Sequence, residues 1–373
     1  MDRIYINGRF LTQSITGVQR YAIELVKALD ELAEQGDASV RGTEFIVLAP
    51  RGTIRDLGLR HIAVRQVGPL SGNLWEQLVL PVYARDGFLL NLGNTAPMLK
   101  RRQAVTMHDA AVYVSPQTYS AAFRIWYKLL FRVLGRTARQ ILTCSDNSKA
   151  QLAHYCGIRP DKIAVVYHGR EHILRVAEAT NLRESKQLDK PFVLAVSSMS
   201  PNKNFRSLVR AFELIGSDEY DIVIAGGSNP KLFRSSQRPL PEQVKYLGYV
   251  EEEELRALYN EAACFVFPSF YEGFGLPPLE AMACGCPVIA SNTASIPEVC
   301  GDAVLYCNPY SHHDIAIKIE RLMRDPEARA ELREKGLEQA HKFSWSKCAR
   351  ETVAVLGGAM AKPVKRAEVV RVE

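Results

Sequence analysis

Residues 264–300 constrain this chain more tightly than any other stretch. Cys264-Phe-Val-Phe267 is a short apolar run fit for a buried parallel strand, and Pro268 and Ser269 end it by removing a ladder donor and favouring a turn. Gly273 and Gly275 follow, residues that tolerate positive φ and let a backbone approach a ligand closely. Pro277 and Pro278 suit the first turn of a helix, whose unpaired amides would point back at the glycines and attract an anion. Glu272 and Glu280 stand eight apart and flank that helix end. Carboxylates are acceptor-only groups that repel diphosphate, so their natural partners are hydroxyls. The implied ligand is a nucleotide sugar.

Glu272-Gly-Phe-Gly-Leu-Pro-Pro-Leu-Glu280, followed by Ala-Met-Ala-Cys-Gly-Cys-Pro-Val-Ile-Ala and Ser295-Ile-Pro-Glu-Val, resembles the Glu-x7-Glu signature of the retaining glycosyltransferases of family four. The resemblance implies a GT-B fold: α/β, with two Rossmann-like doubly wound domains facing a cleft and a C-terminal helix crossing back to the first. The bland alternative is an ordinary strand, turn and helix with solvated glutamates.

A chain of 373 residues has room for two such domains, and alternating strand and helix patterns recur in two successive sets. The expected division is 1–180 on the acceptor side, a polar linker, 190–342 on the nucleotide-sugar side, a crossover helix near 345–357, and a loose tail over 358–373. Met1-Asp-Arg-Ile-Tyr-Ile begins in a strand-like run and no eighteen-residue apolar stretch occurs, which reads as a cytoplasmic chain. Eight scattered cysteines read as buried thiols, with Cys284-Gly-Cys286 as a metal clip the weaker alternative.

Charge is uneven. Residues 1–180 hold 23 basic and 15 acidic side chains, against 24 and 26 in the remainder. With no zinc-finger spacing or aromatic single-strand platform, the basic half suits an anionic membrane surface or a pyrophosphate-linked acceptor better than nucleic acid. Arg124, Lys128, Arg132, Arg136 and Arg139 recur at helical spacing within 123–141 beside an apolar, aromatic face. That pattern fits either an interfacial membrane helix or a core helix with a solvated basic side.

Other site candidates fall in loops that follow strands. The loop from Asn7 to Gly17 precedes a helical run, and Ser14, Thr16 and Gly17 either cap that helix or, in the family manner, approach the donor phosphates. His108 and Asp109 end the strand-like Ala104-Val-Thr-Met, where open parallel sheets bind ligands. Trp75 and Tyr83 read as core, and His168 as a turn residue.

The resemblance assigns roles residue by residue. His108 would steady the transferred sugar, Lys203 would bind the donor diphosphate, and Glu272 and Glu280 would hold the sugar and ribose hydroxyls. The amides of Gly273, Phe274, Gly275 and Leu276 would line the donor site, with Gly17 and Gly226 near it and Tyr249 and Val250 at the nucleobase. Many family members carry an arginine five residues before the lysine, where this chain has Ser198. The implied reaction is retaining transfer by front-face substitution, without metal or other cofactor. Pro-Asn-Lys-Asn near Lys203 and the Thr-Gly-Val-Gln-Arg-Tyr opening look most like bacterial mannosyltransferases of polysaccharide assembly. GDP-mannose and a polyprenyl-diphosphate glycan are therefore the expected substrates. A UDP-sugar transferase, a GT-B-like epimerase and a non-catalytic sugar-nucleotide-binding protein are the alternatives.

Overall fold

The computed structural model describes residues 2–196, 200–227 and 244–361. Short apolar runs form two all-parallel sheets. The first contains β1 (Asp2–Asn7), β2 (Thr43–Ala49), β3 (Ala63–Gln66), β4 (Phe88–Asn91), β5 (Gln103–Thr106), β6 (Gln140–Thr143) and β7 (Ile163–Val165), in the order β3-β2-β1-β4-β5-β6-β7. The second contains β8 (Phe192–Val196), β9 (Asp221–Ala225), β10 (Val244–Gly248), β11 (Cys264–Phe267), β12 (Val288–Ser291) and β13 (Leu305–Cys307), in the order β10-β9-β8-β11-β12-β13. Central strands such as β4 and β11 are buried throughout, as parallel strands covered on both faces must be.

Strand order reverses between β1 and β4 in one sheet and between β8 and β11 in the other. Such switch points open crevices at the carboxyl ends of the strands. All the glycine, lysine and glutamate candidates near 203 and 272 follow β8 or β11, and the Asn7–Gly17 loop follows β1.

The last described helix, Trp345–Ala361, packs against helix Gly17–Glu34 of the first half, as a crossover helix does. It continues past the expected end at 357, and the Arg139 guanidinium holds its final turn through the carbonyls of Ala359 and Met360 at 3.2 and 3.3 Å. Arg139 therefore does not belong to the basic stripe. The helix there is Ala121–Thr137, and Gln140 and Ile141 already lie in β6. Helical spacing ran on into the strand because no glycine or proline separates the two.

Trp75 is fully buried and donates its indole N–H to Val67 O at 2.8 Å, but Tyr83 is half exposed rather than core. The polar segment before β8 includes a short helix, Leu182–Lys186. All eight cysteines are free and buried.

Candidate active site

β11 delivers the loop 268–275 into the second crevice. Gly275 has φ 109°, the left-handed conformation glycine permits, and it caps helix Leu276–Ala283 with Pro277 and Pro278 in its first turn. Gly273 is required for another reason. A Cβ there would lie 2.9 Å from His108 O and 3.0 Å from Asp109 Cβ, so the loop touches the first half. The amides of Gly273, Phe274 and Gly275 have no acceptor among the described residues. Three consecutive free N–H groups before a helix N-terminus make an anion-binding surface.

Lys203 ends the turn Pro201–Lys203 after β8. Asn202 and Asn204 lash that turn to the β11 loop: Phe270 N donates to Asn202 O at 2.8 Å, and Asn204 Nδ2 donates to Pro268 O at 3.0 Å and Pro309 O at 2.6 Å. Lys203 Nζ consequently reaches both carboxylate oxygens of Glu272, at 2.7 and 2.9 Å. Ser198 lies outside the described residues.

Glu280, on the second turn of its helix, is held from two sides. His172 Nε2 lies 2.8 Å from Oε1, and the Tyr259 hydroxyl donates to Oε2 at 3.1 Å. The Trp345 indole, which can only donate, lies 3.1 Å from His172 Nδ1. Nδ1 is thus the acceptor, and the imidazole proton sits on Nε2 and is donated to Glu280. Burial works against ionising Glu280, yet the His172 bond, the Arg20 charge and the Tyr259 hydroxyl hold its carboxyl below the usual range. The residue remains ionised, a fixed acceptor for a diol.

His108 follows β5 and faces the glycine loop from the first half. Its Nε2 lies 3.0 Å from Leu92 O, an acceptor, so Nε2 carries the proton and Nδ1 has a free lone pair. Burial pushes the imidazole down to about 4, with the Leu92 bond opposing. A neutral ring of this kind accepts a hydrogen bond from a hydroxyl but is a weak base. Asp109 Oδ1 accepts from Ala111 N at 2.8 Å, and burial, opposed by that bond, pushes its carboxyl up.

His108, Cys144 and His168 bring one ligating atom each within 4.8 Å of one another. The Cys144 thiol donates to His108 O at 3.0 Å, and burial pushes its pKa up. His168 is not a simple turn residue: it is buried against Tyr21, Phe274 and Trp345, with both ring nitrogens unpaired among the described residues.

Other candidates lie at the margin. Gly17 begins its helix with Leu276 Cδ1 4.0 Å from where a Cβ would be, so it faces helix Leu276–Ala283. Gly226, at φ 100°, follows β9, and Tyr249 follows β10 with its ring exposed. The Val250 side chain is packed in the core, leaving only its backbone for a ligand.

Sequence reasoning missed several contributors. Ser295 Oγ contacts Glu272 O at 3.0 Å and Phe274 O at 2.9 Å. Ser145 and Ser148 contact Gly273 O, and the Arg20–Glu252 ion pair joins helix Gly17–Glu34 to the second half. Beside β1 and β4 a cavity of about 150 Å³ is lined by Arg9, Gln19, Glu76, Thr95 and Tyr127. Glu76 is buried there and accepts from Asn7 Nδ2 at 3.1 Å, Arg9 Nη1 at 3.2 Å and Thr95 Oγ1 at 2.8 Å.

Residues 15–172 match the family model described as glycosyltransferase family 4, and residues 178–339 match that of glycosyl transferases group 1. O-antigen chain mannosyltransferase B of Escherichia coli is 32% identical over 91% of this chain and 95% of its own length. O-antigen chain mannosyltransferase RfbU of Salmonella typhimurium is 27% identical over 87% and 92%. Sucrose-phosphate synthase from Thermosynechococcus elongatus superposes with a TM-score of 0.74 at 20% identity, covering 97% of this chain and all of that one.

Proposed function

The chain belongs to the family-four glycosyltransferases with a GT-B fold, and from that premise we propose that it transfers mannose from GDP-mannose to a polyprenyl-diphosphate-linked glycan, retaining the anomeric configuration and using no metal. The observation that carries this reading is the pair Glu272 and Glu280 flanking three free amides, with Lys203 alongside. Anion-binding groups sit between two hydroxyl-binding carboxylates, which matches the alternation of ribose, diphosphate and sugar in a nucleotide sugar. The mannosyl assignment follows the names of the two O-antigen relatives.

Lys203 and the loop amides stabilise the charge that builds on the leaving diphosphate. Lys203 must release Glu272 to do so, which frees that carboxylate for the sugar. Glu280 takes the ribose hydroxyls, and His108 Nδ1 accepts from a sugar hydroxyl across the cleft. Glu272 acts as a sugar-hydroxyl acceptor and not as a nucleophile, so front-face substitution is the proposed route. A trapped glycosyl-enzyme on either glutamate would overturn it.

The cavity beside β1 and β4 receives the acceptor sugar, where Arg9, Gln19 and the Tyr127 hydroxyl meet its hydroxyls. No helix among the described residues is long and apolar enough to cross a membrane. Helix Ala121–Thr137 exposes Ile125 and Leu129 beside its basic stripe, and Leu74, Leu78 and Val82 are exposed at four-residue spacing. These side chains support peripheral binding to an anionic surface, close to a lipid-linked acceptor.

Thermal unfolding with GDP, with UDP and with neither, each with and without chelator, tests the donor. A nucleotide at about a hundred times its Kd adds about 2.7 kcal/mol of stability. A shift with GDP that survives chelation is expected. A shift with UDP alone contradicts the mannosyl donor.

A further inference from the structure

We propose that Ser145 and Ser148, on the first half, are positioning residues that aim the Phe274 amide of the donor loop, so that the donor site is completed only when the two halves dock. This deepens the nucleotide-sugar reading and rests on it.

A trans peptide is planar, with its C=O and N–H pointing in opposite directions, so whatever fixes the carbonyl aims the amide of the next residue. Three successive peptide units form the donor loop. Ser295 Oγ shares its one proton between the carbonyls of Glu272 and Phe274, at 3.0 and 2.9 Å, and thereby orients the first and third units, which carry the amides of Gly273 and Gly275. Ser295 belongs to the second half, as the loop itself does. The middle carbonyl, Gly273 O, is held from across the cleft by Ser145 Oγ at 2.7 Å and Ser148 Oγ at 3.1 Å. Its peptide carries the Phe274 N–H. Undocked, that unit is free to turn and present its carbonyl oxygen, which repels phosphate.

The contact is built in other ways too. Both serines are fully buried, and Ser145 Oγ also accepts from Ser148 N at 3.0 Å, which fixes its hydroxyl as donor to Gly273. Glu298 of the second half accepts from the amides of Asp146 and Asn147 at 2.7 and 3.2 Å, clamping the same helix end. A side chain at 273 would strike His108 O, so the approach demands glycine.

The test compares Ser145→Ala/Ser148→Ala, Ser145→Thr/Ser148→Ala and Gly273→Ala with the full-length wild type. GDP affinity is read by calorimetry, and kcat and KM are read with GDP-mannose and a lipid-linked acceptor. The double alanine variant and Gly273→Ala should lose at least tenfold in kcat and bind GDP more weakly, without losing GDP binding altogether, because Lys203 and the Ser295-held amides remain. Threonine at 145 should restore most of kcat. An unchanged kcat in the double alanine variant overturns the proposal. So does a loss that threonine leaves unrestored and that a matching fall in Tm accompanies. Hydrogen exchange of peptide 270–277 reads the loop without turnover: it should quicken in the double alanine variant, and unchanged exchange contradicts the lock. If wild type binds neither GDP nor UDP, the donor reading fails, and exchange alone still decides the role of the serines.

Discussion

Lys203 Nζ lies 2.7 and 2.9 Å from the two carboxylate oxygens of Glu272, so the cation proposed to bind diphosphate and the carboxylate proposed to bind the sugar neutralise each other. On the proposed reading, donor binding exchanges this pair for two new ones, lysine with phosphate and glutamate with hydroxyls. The exchange avoids leaving either half-buried charge unpaired at any stage.

Lys203→Met removes the cation and leaves Glu272 uncompensated beside the free amides. Loss of one preorganised charge on a leaving group costs about 10²–10³ in kcat. Steady-state kinetics should show that loss, with Lys203→Arg intermediate. An activity within threefold of wild type would remove Lys203 from the mechanism.

Glu280→Gln keeps the shape of the side chain but exchanges a charged acceptor for a neutral one. Hydrogen bonds to charged groups contribute about 1.5–3 kcal/mol against about 1 kcal/mol for neutral pairs, so donor KM should rise about tenfold with kcat little changed. His172→Leu leaves the Trp345 indole and Glu280 Oε1 without partners, which costs about 1–3 kcal/mol per orphaned group. It should lower Tm and raise donor KM together, as thermal unfolding and kinetics will show.

His108 and His168 are both pushed down by burial, His108 to about 4. In the unfolded chain each titrates near 6.5, so below that value the unfolded state binds more protons than the folded one. Their contribution is complete above about 6.5 and is lost as pH falls toward 4. Tm should therefore decline between pH 6.5 and 5, before the ordinary carboxylates titrate, and His108→Gln should flatten that decline. A profile that is identical for wild type and variant would contradict a buried neutral His108.

Thr95→Val takes one donor from buried Glu76 and leaves the donor site untouched. Acceptor KM should rise several-fold while GDP affinity, measured by calorimetry, is unchanged. Equal effects on both would place the acceptor elsewhere than the β1–β4 cavity.

The loop after β11 was legible because its signals are local. Strand, proline, glycines and two glutamates lie within 264–280, and spacing alone put both carboxylates beside one helix end. Two doubly wound sheets followed from the alternation of short apolar runs with helical periods. Contacts across the cleft left no such signature. Ser145 meets Gly273 across 128 residues, His172 meets Glu280 across 108, and Trp345 meets His172 across 173. Ser145 precedes a helix and caps Ser148 N, so nothing local in the sequence marks its second bond. Arg139 and Tyr83 show the opposite error, in which a pattern was extended or an aromatic buried by default although packing decided otherwise.

The most direct test of the account is GDP release from GDP-mannose by the purified chain, with and without a polyprenyl-diphosphate-linked glycan, in excess chelator. Rapid release that depends on the acceptor and is unaffected by the chelator is expected. No acceptor-dependent release, or release that returns only when a divalent metal is added, would contradict it.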